Sequence, residues 1–361
     1  MTLASDRTVE CAPGLNEIEP YSTAPLAPKI ELKLDGNEGL QPDPRLLDAL
    51  ARLGPDVLRR YPNAKPLEAM LARHWRVEPE QVIVTAGADE ALDRTCRALL
   101  APGRQIILPS PTFEMLPRYA RLAGAEIIPV PWPNGSFPAK LVLRHVTERT
   151  AAIAIVSPNN PTGAAATSSN LKTIAAAAPH ALVIADLAYA DFADEDLTAC
   201  ALTLPNAVAI RSLSKSWGLA GLRVGFAAGP PRFIRWLRAA GSPYSVCGPS
   251  LALSMEWLEH GGPAVRDYVD RIRTERSALA EVLRELGAEV EPSQANFVLG
   301  RFANAERIWQ ALGQRGIAVR RFSAAPELAN ALRITCPGNE HDFGRLTAAL
   351  REVGELENRL P

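Results

Sequence analysis

The stretch Ser212-Leu-Ser-Lys-Ser-Trp-Gly-Leu-Ala-Gly-Leu-Arg223 places a lysine among hydroxyl side chains, with an arginine one short loop away. It follows an apolar run, Ala207 to Ile210, which is typical of a buried strand. Lys215 can form a Schiff base with an aldehyde, while the hydroxyl groups and Arg223 can hold a phosphate. The stretch therefore indicates a ligand that carries both groups. The alternative is a solvated loop lysine, which is the commoner outcome for an isolated Ser-x-x-Lys.

Short apolar runs alternate with amphipathic stretches between residues 80 and 230, and helical patterns such as Asp89–Leu100 and Asn170–Ala177 lie between most of them. We predict strands at Val82–Thr85, Gln105–Leu108, Glu126–Val130, Ala151–Val156, Leu182–Ala185, Val208–Arg211 and Val224–Ala227. Apolar strands alternating with helices favour an α/β fold, with a mostly parallel seven-stranded sheet flanked by helices. In such a sheet the ligand binds beyond the carboxyl ends of the strands.

The pattern changes in the C-terminal part of the chain, where a long charged helix is expected near Arg266–Leu286. Further strands are expected at Ala295–Leu299, Ile317–Arg321 and Ala331–Thr335, which together predict a smaller α+β domain. We place an N-terminal arm that joins the small domain at residues 1–35, the large domain at 36–245 and the small domain at 246–361.

Composition narrows the class of function. The 361 residues are 47% hydrophobic and carry 39 basic and 40 acidic side chains, so the chain has no basic excess to attract nucleic acid or anionic lipid. Five scattered cysteines without metal-ligand spacing predict reduced thiols and no metal site. The first thirty residues lack the apolar core of a signal peptide, and no stretch approaches the ~20 apolar residues of a membrane span. We expect a cytoplasmic protein with small-molecule partners.

The residues that follow the first two predicted strands suit a phosphate and a flat ring. Gly87-Ala88-Asp89 follows the first strand and opens a helix, whose unpaired backbone N–H groups suit a phosphate; an ordinary N-cap by Asp89 is the alternative. Phe113 follows the second strand and can stack on a heteroaromatic ring, although most such phenylalanines belong to the core.

The residues that follow two further predicted strands include polar groups that suit a pyridine ring. In the rigid turn Ser157–Gly163, the Asn160 amide can donate to a phenolate oxygen. Asp186 leaves an apolar strand, where a carboxylate is costly unless it meets a cation such as a pyridinium N–H, and Tyr189 can bond the oxygen of the same ring. A helix-capping aspartate with a packed tyrosine is the alternative.

In the small domain, Arg333 lies inside an apolar strand. A substrate carboxylate or phosphate would satisfy its guanidinium by a bidentate pair, and a structural salt bridge is the competing explanation.

Taken in order, these motifs resemble the class I and II aminotransferases, fold-type I enzymes that use pyridoxal 5′-phosphate, and within them most closely the histidinol-phosphate aminotransferases. The resemblance extends from about Tyr21 to Leu350. It rests on Lys33-Leu-Asp-Gly-Asn-Glu38, Arg60-Tyr-Pro62, Gly87-Ala-Asp-Glu90, Pro111-Thr-Phe113, Asn159-Asn-Pro-Thr-Gly163, Ser212 to Arg223, Pro292-Ser-Gln-Ala-Asn-Phe297 and Leu332-Arg-Ile334. The Asn-Asn-Pro-Thr-Gly and Ser-Leu-Ser-Lys motifs are specific for the cofactor class and say little about the substrate.

The resemblance implies a role for each candidate residue. Lys215 would carry the cofactor and move a proton from the substrate Cα, and Asp186 would pair with the pyridine nitrogen. The other implied contacts are Tyr189 and Asn160 with the ring oxygen; Phe113 with the ring face; Ser212, Ser214, Arg223, Gly87, Ala88 and Asp89 with the phosphate end; and Tyr61 with the phosphate of a partner subunit in a homodimer. The implied substrate contacts are Arg333 at the anionic end, with Tyr21, Asn37, Asn160 and Arg320 lining the pocket.

The implied activity is amino transfer between histidinol phosphate, or a similar amino substrate, and 2-oxoglutarate by a ping-pong mechanism. The alternatives are a decarboxylase like threonine-phosphate decarboxylase, an aromatic amino acid aminotransferase and a cofactor-binding protein without turnover. Three departures from the family pattern, at Leu187, Leu116 and Gly39-Leu40, include changes near the substrate side, so they weaken the substrate assignment more than the cofactor assignment.

Overall fold

Two β-sheets with flanking helices make up the described part of the chain. The computed structural model describes residues 29–322 and 325–357, together with the single positions 9, 11, 15, 18 and 20. The strands in this part are β1 (Leu32–Leu34), β2 (Val82–Ala86), β3 (Gln105–Ser110), β4 (Glu126–Pro131), β5 (Thr150–Val156), β6 (Leu182–Asp186), β7 (Ala207–Ser212), β8 (Val224–Ala228), β9 (Glu289–Val290), β10 (Phe297–Arg301), β11 (Ile317–Arg321) and β12 (Ala331–Thr335).

The described α-helices lie mainly between the strands of the first sheet and after it. They are α1 (Arg45–Arg52), α2 (Asp56–Arg59), α3 (Lys65–Trp75), α4 (Gly87–Leu99), α5 (Met115–Leu122), α6 (Ala139–Arg144), α7 (Ser168–Ala177), α8 (Thr198–Leu202), α9 (Pro231–Ala239), α10 (Gly248–His260), α11 (Gly262–Glu285), α12 (Ala305–Gln314) and α13 (Glu340–Glu357). None of these described helices is both long and apolar enough to cross a membrane.

The larger sheet has the strand order β2-β8-β7-β6-β5-β3-β4. Strand β8 runs in the direction opposite to that of the other six strands. The predicted α/β fold with a mostly parallel seven-stranded sheet is therefore confirmed. The apolar run of strand β5 does not alternate with polar residues because both of its faces are buried. Ile153 and Ile155 pack into one core with α7, whereas Ala152 and Ala154 pack into another with α4. Both faces of the sheet are buried under helices.

The smaller sheet has the order β1-β11-β12-β10-β9, with β1 and β11 parallel and the other pairs antiparallel. It packs in one core with helices α11 and α13, through residues such as Leu279, Val282, Leu346 and Leu350. Because β1 pairs with β11, the segment that precedes the large sheet in sequence is part of the small sheet. The domain boundaries after residues 35 and 245 stay predictions.

Most element boundaries differ from those expected by one to four residues, and three of the differences have a clear physical reason. Helix α4 begins at Gly87, two residues before the expected start, because the positive φ of Gly87 (75°) turns the chain directly from β2 into the helix. Helix α11 begins at Gly262, where a proline in the first turn is compatible with helix geometry. Strand β10 runs to Arg301 because its register with β12 continues through the pair Arg301 and Ala331.

Candidate active site

The carboxyl ends of the parallel strands open into one cavity of about 1380 Å³ that the smaller sheet also borders. Strands β3, β5, β6 and β7 run in the same direction, so the residues that follow them emerge at one edge of the large sheet. Side chains from β11 and β12 line the opposite part of the cavity. The predicted location of the site, beyond the strand ends, is where the structure places the cavity.

Lys215 projects into this cavity from the loop after β7. Its Nζ donates to the carbonyl oxygen of Gly36 at 3.3 Å and lies 5.5 Å from the centre of the Tyr189 ring. The amine therefore lies between the segment that follows β1 and the loop that follows β6. An amine in this position can react with a carbonyl group that enters the cavity.

The backbone of the lysine loop lies directly against the segment Gly36–Leu40. A Cβ atom on Gly39 would overlap the carbonyl oxygen of Lys215, and a Cβ on Gly218, which has a φ of 69°, would overlap the carbonyl oxygen of Leu40. Only glycine permits two backbone segments to approach each other this closely. Gly39 and Leu40, one of the three departures from the family pattern, thus lie against the backbone of the loop that carries Lys215.

Asp186, the last residue of β6, presents a buried carboxyl group to the cavity. Burial raises its pKa to about 7; the charge of Asp89 adds to the effect, whereas the N–H of Ala188 at 3.2 Å and the charge of Lys215 oppose it. Within the described residues, no basic side chain forms an ion pair with Asp186. The carboxylate is therefore placed to stabilise a cation supplied by a ligand.

Asn37 holds the Tyr189 hydroxyl in place. Asn37 has a positive φ of 54° and is 1% exposed, and its Nδ2 donates to Tyr189 Oη at 2.9 Å. Its side-chain oxygen accepts from Thr335 Oγ1 at 2.8 Å, and its backbone carbonyl accepts from Asn296 Nδ2 at 3.4 Å. One buried amide thus joins the loop after β6 to the small sheet.

A cluster of donors at the other end of the cavity suits an anion. Ser212 and Ser214 both line the cavity, and Ser212 Oγ accepts from the backbone N–H of Ser214 at 3.1 Å. Arg223, in the left-handed conformation (φ 53°), pairs with Asp89 at 3.1 Å beside the first turn of α4. A Cβ on Gly87 would lie 2.6 Å from Arg223 Nη2, so the glycine leaves room for the guanidinium.

Asp89 does not cap helix α4. The helix begins at Gly87 with Ala86 as the N-cap residue, so Asp89 lies in the first turn, and its carboxylate reaches Arg223 instead. The N-cap alternative considered for Asp89 is therefore wrong.

Arginines dominate the part of the cavity bordered by the small sheet. Arg333 Nη1 donates to Asn160 Oδ1 at 2.6 Å and Nη2 donates to the carbonyl oxygen of Asp35 at 2.5 Å. These are contacts with neutral oxygens. Arg320 Nη2 forms an ion pair with Glu114 Oε1 at 2.9 Å, which joins β11 to the residue that precedes α5. The guanidinium groups suit the anionic end of a substrate.

The structure brings nearly all the candidate residues together. The cavity is lined by Asn37, Ala88, Asp89, Phe113, Asn160, Asp186, Tyr189, Ser212, Ser214, Lys215, Arg223, Arg320 and Arg333. Phe113 also packs against the core of the large sheet, as the alternative interpretation expected, and its stacking on a ring stays a prediction. Tyr61 lies outside the cavity lining, 80% exposed, and stacks on Tyr244 with ring centres 4.6 Å apart. Tyr21 lies outside the described residues.

Several lining residues escaped sequence reasoning. Trp309 and Phe322 border the cavity from the small sheet side, and Arg118 and Arg121 border it from α5. An aromatic residue in a helix or strand resembles a core residue, and an arginine in an amphipathic helix resembles a solvated one. The local sequence held no signal for them.

Comparisons with known proteins agree with this geometry. The family model described as "Aminotransferase class I and II" matches residues 32–350. The histidinol-phosphate aminotransferase of Xanthomonas euvesicatoria pv. vesicatoria (strain 85-10) is 34% identical over 336 residues, which cover 89% of this chain and 90% of that protein.

Solved structures show the same fold. The histidinol-phosphate aminotransferase of Sinorhizobium meliloti, solved with pyridoxal-5′-phosphate, has a TM-score of 0.86 at 21% identity and covers 98% of this chain and 100% of that one. The L-threonine-O-3-phosphate decarboxylase of Porphyromonas gingivalis has a TM-score of 0.77 at 22% identity, with coverage of 90% and 99%. Because the same fold occurs in both, fold similarity does not separate amino transfer from decarboxylation.

We expect Asp186→Asn to flatten the pH dependence of stability in protein freed of small molecules. The Asp186 carboxyl keeps its proton up to a pKa of about 7 in the folded state, but only up to its ordinary value of 3.8 when unfolded. Between these values the folded state binds more protons, so the free energy of unfolding falls as the pH rises, by on the order of 1 kcal/mol per pH unit. Urea unfolding across this window measures the slope, with the exposed Asp48→Asn as control. Equal slopes in wild type and Asp186→Asn would contradict this account.

Proposed function

The chain belongs to the class I and II aminotransferases, and we propose that it transfers an amino group between histidinol phosphate, or a closely similar amino substrate, and 2-oxoglutarate. The observation that carries the proposal is the shared cavity, in which Lys215 after β7 and Asp186 in β6 lie between Arg223 beside β8 and Arg333, which contacts Asn160 after β5. Arg223 suits a cofactor phosphate and Arg333 suits an anionic substrate. The choice of histidinol phosphate is supported by the relatives that carry this activity in their names.

Pyridoxal 5′-phosphate is the cofactor of this enzyme class, and the residues present fit it. Burial raises the pKa of the Asp186 carboxyl to about 7, and the pyridine N–H of the cofactor would supply a cationic partner for it. Ser212, Ser214 and Arg223 offer donors for its phosphate, and Gly87, which has no side chain, leaves room for the Arg223 guanidinium beside them.

When bound, the cofactor supplies an aldehyde that can be transferred from lysine to the substrate amine and a ring that accepts electron density as the substrate Cα–H bond breaks. In the proposed mechanism Lys215 would hold the aldehyde of the cofactor and, once released, its amine would take up and return the proton of the substrate Cα. Asp186 would accept the hydrogen bond of the ring N–H. Tyr189, oriented by Asn37, and Asn160 would donate to the ring oxygen.

At the substrate end, Arg333 binds the α-carboxylate or other anionic group, and Arg320, Asn37 and Asn160 complete the pocket. The amino donor and the oxo acid acceptor occupy the same site in turn, because one cofactor serves both halves of the reaction; a ping-pong pattern follows. Tyr21 is proposed for the same pocket on the family resemblance alone.

We also propose a homodimer in which Tyr61 of each subunit contacts the phosphate in the other. Tyr61 and Leu58 are 80% and 79% exposed, and the ring of Tyr61 stacks on that of Tyr244 outside the cavity lining. Large exposed apolar side chains that adjoin one another are typical of an interface. The proposed cytoplasmic location rests on the scattered, unpaired pattern of the cysteines in the sequence.

A decarboxylase is the second candidate, favoured by the similarity in fold to the Porphyromonas gingivalis enzyme. The two reactions differ in which substrate bond lies perpendicular to the cofactor ring. An aromatic amino acid aminotransferase is a third candidate, which the aromatic side chains Trp309 and Phe322 in the cavity lining would suit.

The test is an absorption spectrum of the cofactor-loaded protein during separate additions of histidinol phosphate, aromatic amino acids, glutamate and O-phosphothreonine. We expect histidinol phosphate and glutamate each to abolish the visible band of the lysine-bound cofactor. Lys215→Ala should lack that band and lose ~10²–10⁴-fold in turnover while it still binds the cofactor, whereas the exposed Lys172→Ala should behave as wild type. Release of CO2 would favour the decarboxylase, and a response to aromatic amino acids alone would favour the third candidate.

Arg333→Ala should raise the KM for the anionic substrate about tenfold or more, because a charged hydrogen-bonding partner is lost, and should change the dissociation constant of the cofactor far less. Steady-state kinetics and equilibrium dialysis measure the two quantities. Arg284→Ala is the control: this exposed arginine pairs with Glu281 and lies outside the cavity lining. An unchanged KM would remove Arg333 from the substrate pocket.

Hybrid dimers test the contribution of Tyr61 to the neighbouring site. Lys215→Ala and Tyr61→Ala homodimers should both be impaired. A hybrid of the two has one site with both wild-type residues, if Tyr61 acts across the interface, so co-expression should restore about half of the wild-type activity per dimer. If Tyr61 acts within its own subunit, neither site of the hybrid is intact, and no recovery would be seen.

A further inference from the structure

A network of charged and hydroxyl side chains borders the Ser212–Lys215 segment without lining the cavity. Arg211 directly precedes the segment in β7, and 7% of its side chain is exposed. Its Nη2 forms an ion pair with Asp191, while its Nη1 donates to Asp196 Oδ2 and to Thr198 Oγ1, both at 2.7 Å. A buried guanidinium requires such partners, since an uncompensated buried charge is strongly destabilising.

Asp191 links this ion pair to the residue that follows the lysine. One of its carboxylate oxygens accepts from Arg211 and the other accepts from the hydroxyl of Ser216. Ser216 is 1% exposed, and in the described part of the chain its hydroxyl makes no other hydrogen bond. Because Asp191 also follows Tyr189 by two residues, its carboxylate joins the loop after β6 to the loop after β7.

The two carboxylates around Arg211 therefore differ in what they contact. Asp196 accepts from Arg211 and from the backbone N–H and hydroxyl of Thr198, and none of these groups belongs to a residue next to Lys215. Asp191 alone connects the buried charge to the residue next to Lys215. Loss of either carboxylate weakens the ion pair, but only loss of Asp191 releases Ser216.

The lysine backbone is confined on its other side as well. The segment Gly36–Leu40 packs so closely that a Cβ on Gly39 would overlap the carbonyl oxygen of Lys215. The same carbonyl accepts from the backbone N–H of Gly218 at 3.3 Å. Loss of the bond to Asp191 would free the side chain of Ser216, the residue joined to that carbonyl by the peptide bond. A displacement of about 1 Å at a reacting group can cost ~10²-fold in rate, so the restraint matters for chemistry rather than for folding alone.

We infer that Asp191 is a positioning residue that fixes the amine of Lys215 through its hydrogen bond with Ser216. The inference rests on the role proposed for Lys215. Asp191 lies outside the cavity lining and acts only through its neighbours.

Two variants distinguish an effect on the position of the Lys215 amine from an effect on the stability of the fold. Ser216→Ala removes the hydroxyl and leaves the Arg211–Asp191 ion pair, whereas Asp196→Asn weakens the charge partners of Arg211 and leaves the Asp191–Ser216 bond. In the cofactor-loaded enzyme, Ser216→Ala should lower kcat about tenfold, change KM less than about twofold and shift the pH midpoint of the visible absorption band. Asp196→Asn should lower the unfolding temperature and keep the wild-type kcat and midpoint.

Wild-type kcat and midpoint in Ser216→Ala would overturn the inference. An equal midpoint shift in both variants would also overturn it, because the effect would then follow from weakened Arg211 pairing. Should Ser216→Ala fail to fold, Asp191→Asn must show the same kcat loss and midpoint shift. Absence of the visible band from the wild-type protein would overturn the proposed function and this inference together, whereas a normal band that Ser216→Ala leaves unchanged overturns this inference alone.

Discussion

The buried carboxyl group of Asp186 is the constraint on which the candidate site depends. A carboxylate excluded from water is costly, and its pKa of about 7 records that cost. The strand that carries it is fully buried and fixed between β5 and β7, so the carboxyl cannot turn towards solvent. The surrounding cavity, with the amine of Lys215 nearby and anion-binding groups at both ends, accommodates a ligand that brings the missing cation.

The large sheet and most of its site residues were predictable from local sequence. Each parallel strand is a short apolar run. The polar residue that ends it, such as Asp186 in β6 or Ser212 in β7, interrupts the pattern at the point where the cavity forms. Parallel topology then brings the strand ends together, because all of them face the same edge. Local pattern and global fold agree here, which is why the prediction of the large sheet is confirmed.

The remainder of the site depends on contacts between segments far apart in sequence. The approach of Gly39 to Lys215, the pairing of Glu114 with Arg320 and the bond between Asp191 and Ser216 each join residues that carry no mutual signal along the chain. Trp309 and Phe322 resemble core residues until the cavity is seen. Tyr61 lies outside the cavity lining, so the role proposed for it requires a second copy of the chain.

Asn37 has a consequence for how this site can change over evolutionary time. Its amide donates to Tyr189 on the large sheet side and accepts from Thr335 in β12, while its backbone accepts from Asn296. The side-chain nitrogen and oxygen of Asn37 are each hydrogen-bonded to one of these residues. A change at Tyr189 or Thr335 therefore leaves a buried polar atom without its partner. Substitutions at these three positions are therefore tolerated in concert rather than singly, and related chains should vary there as a set.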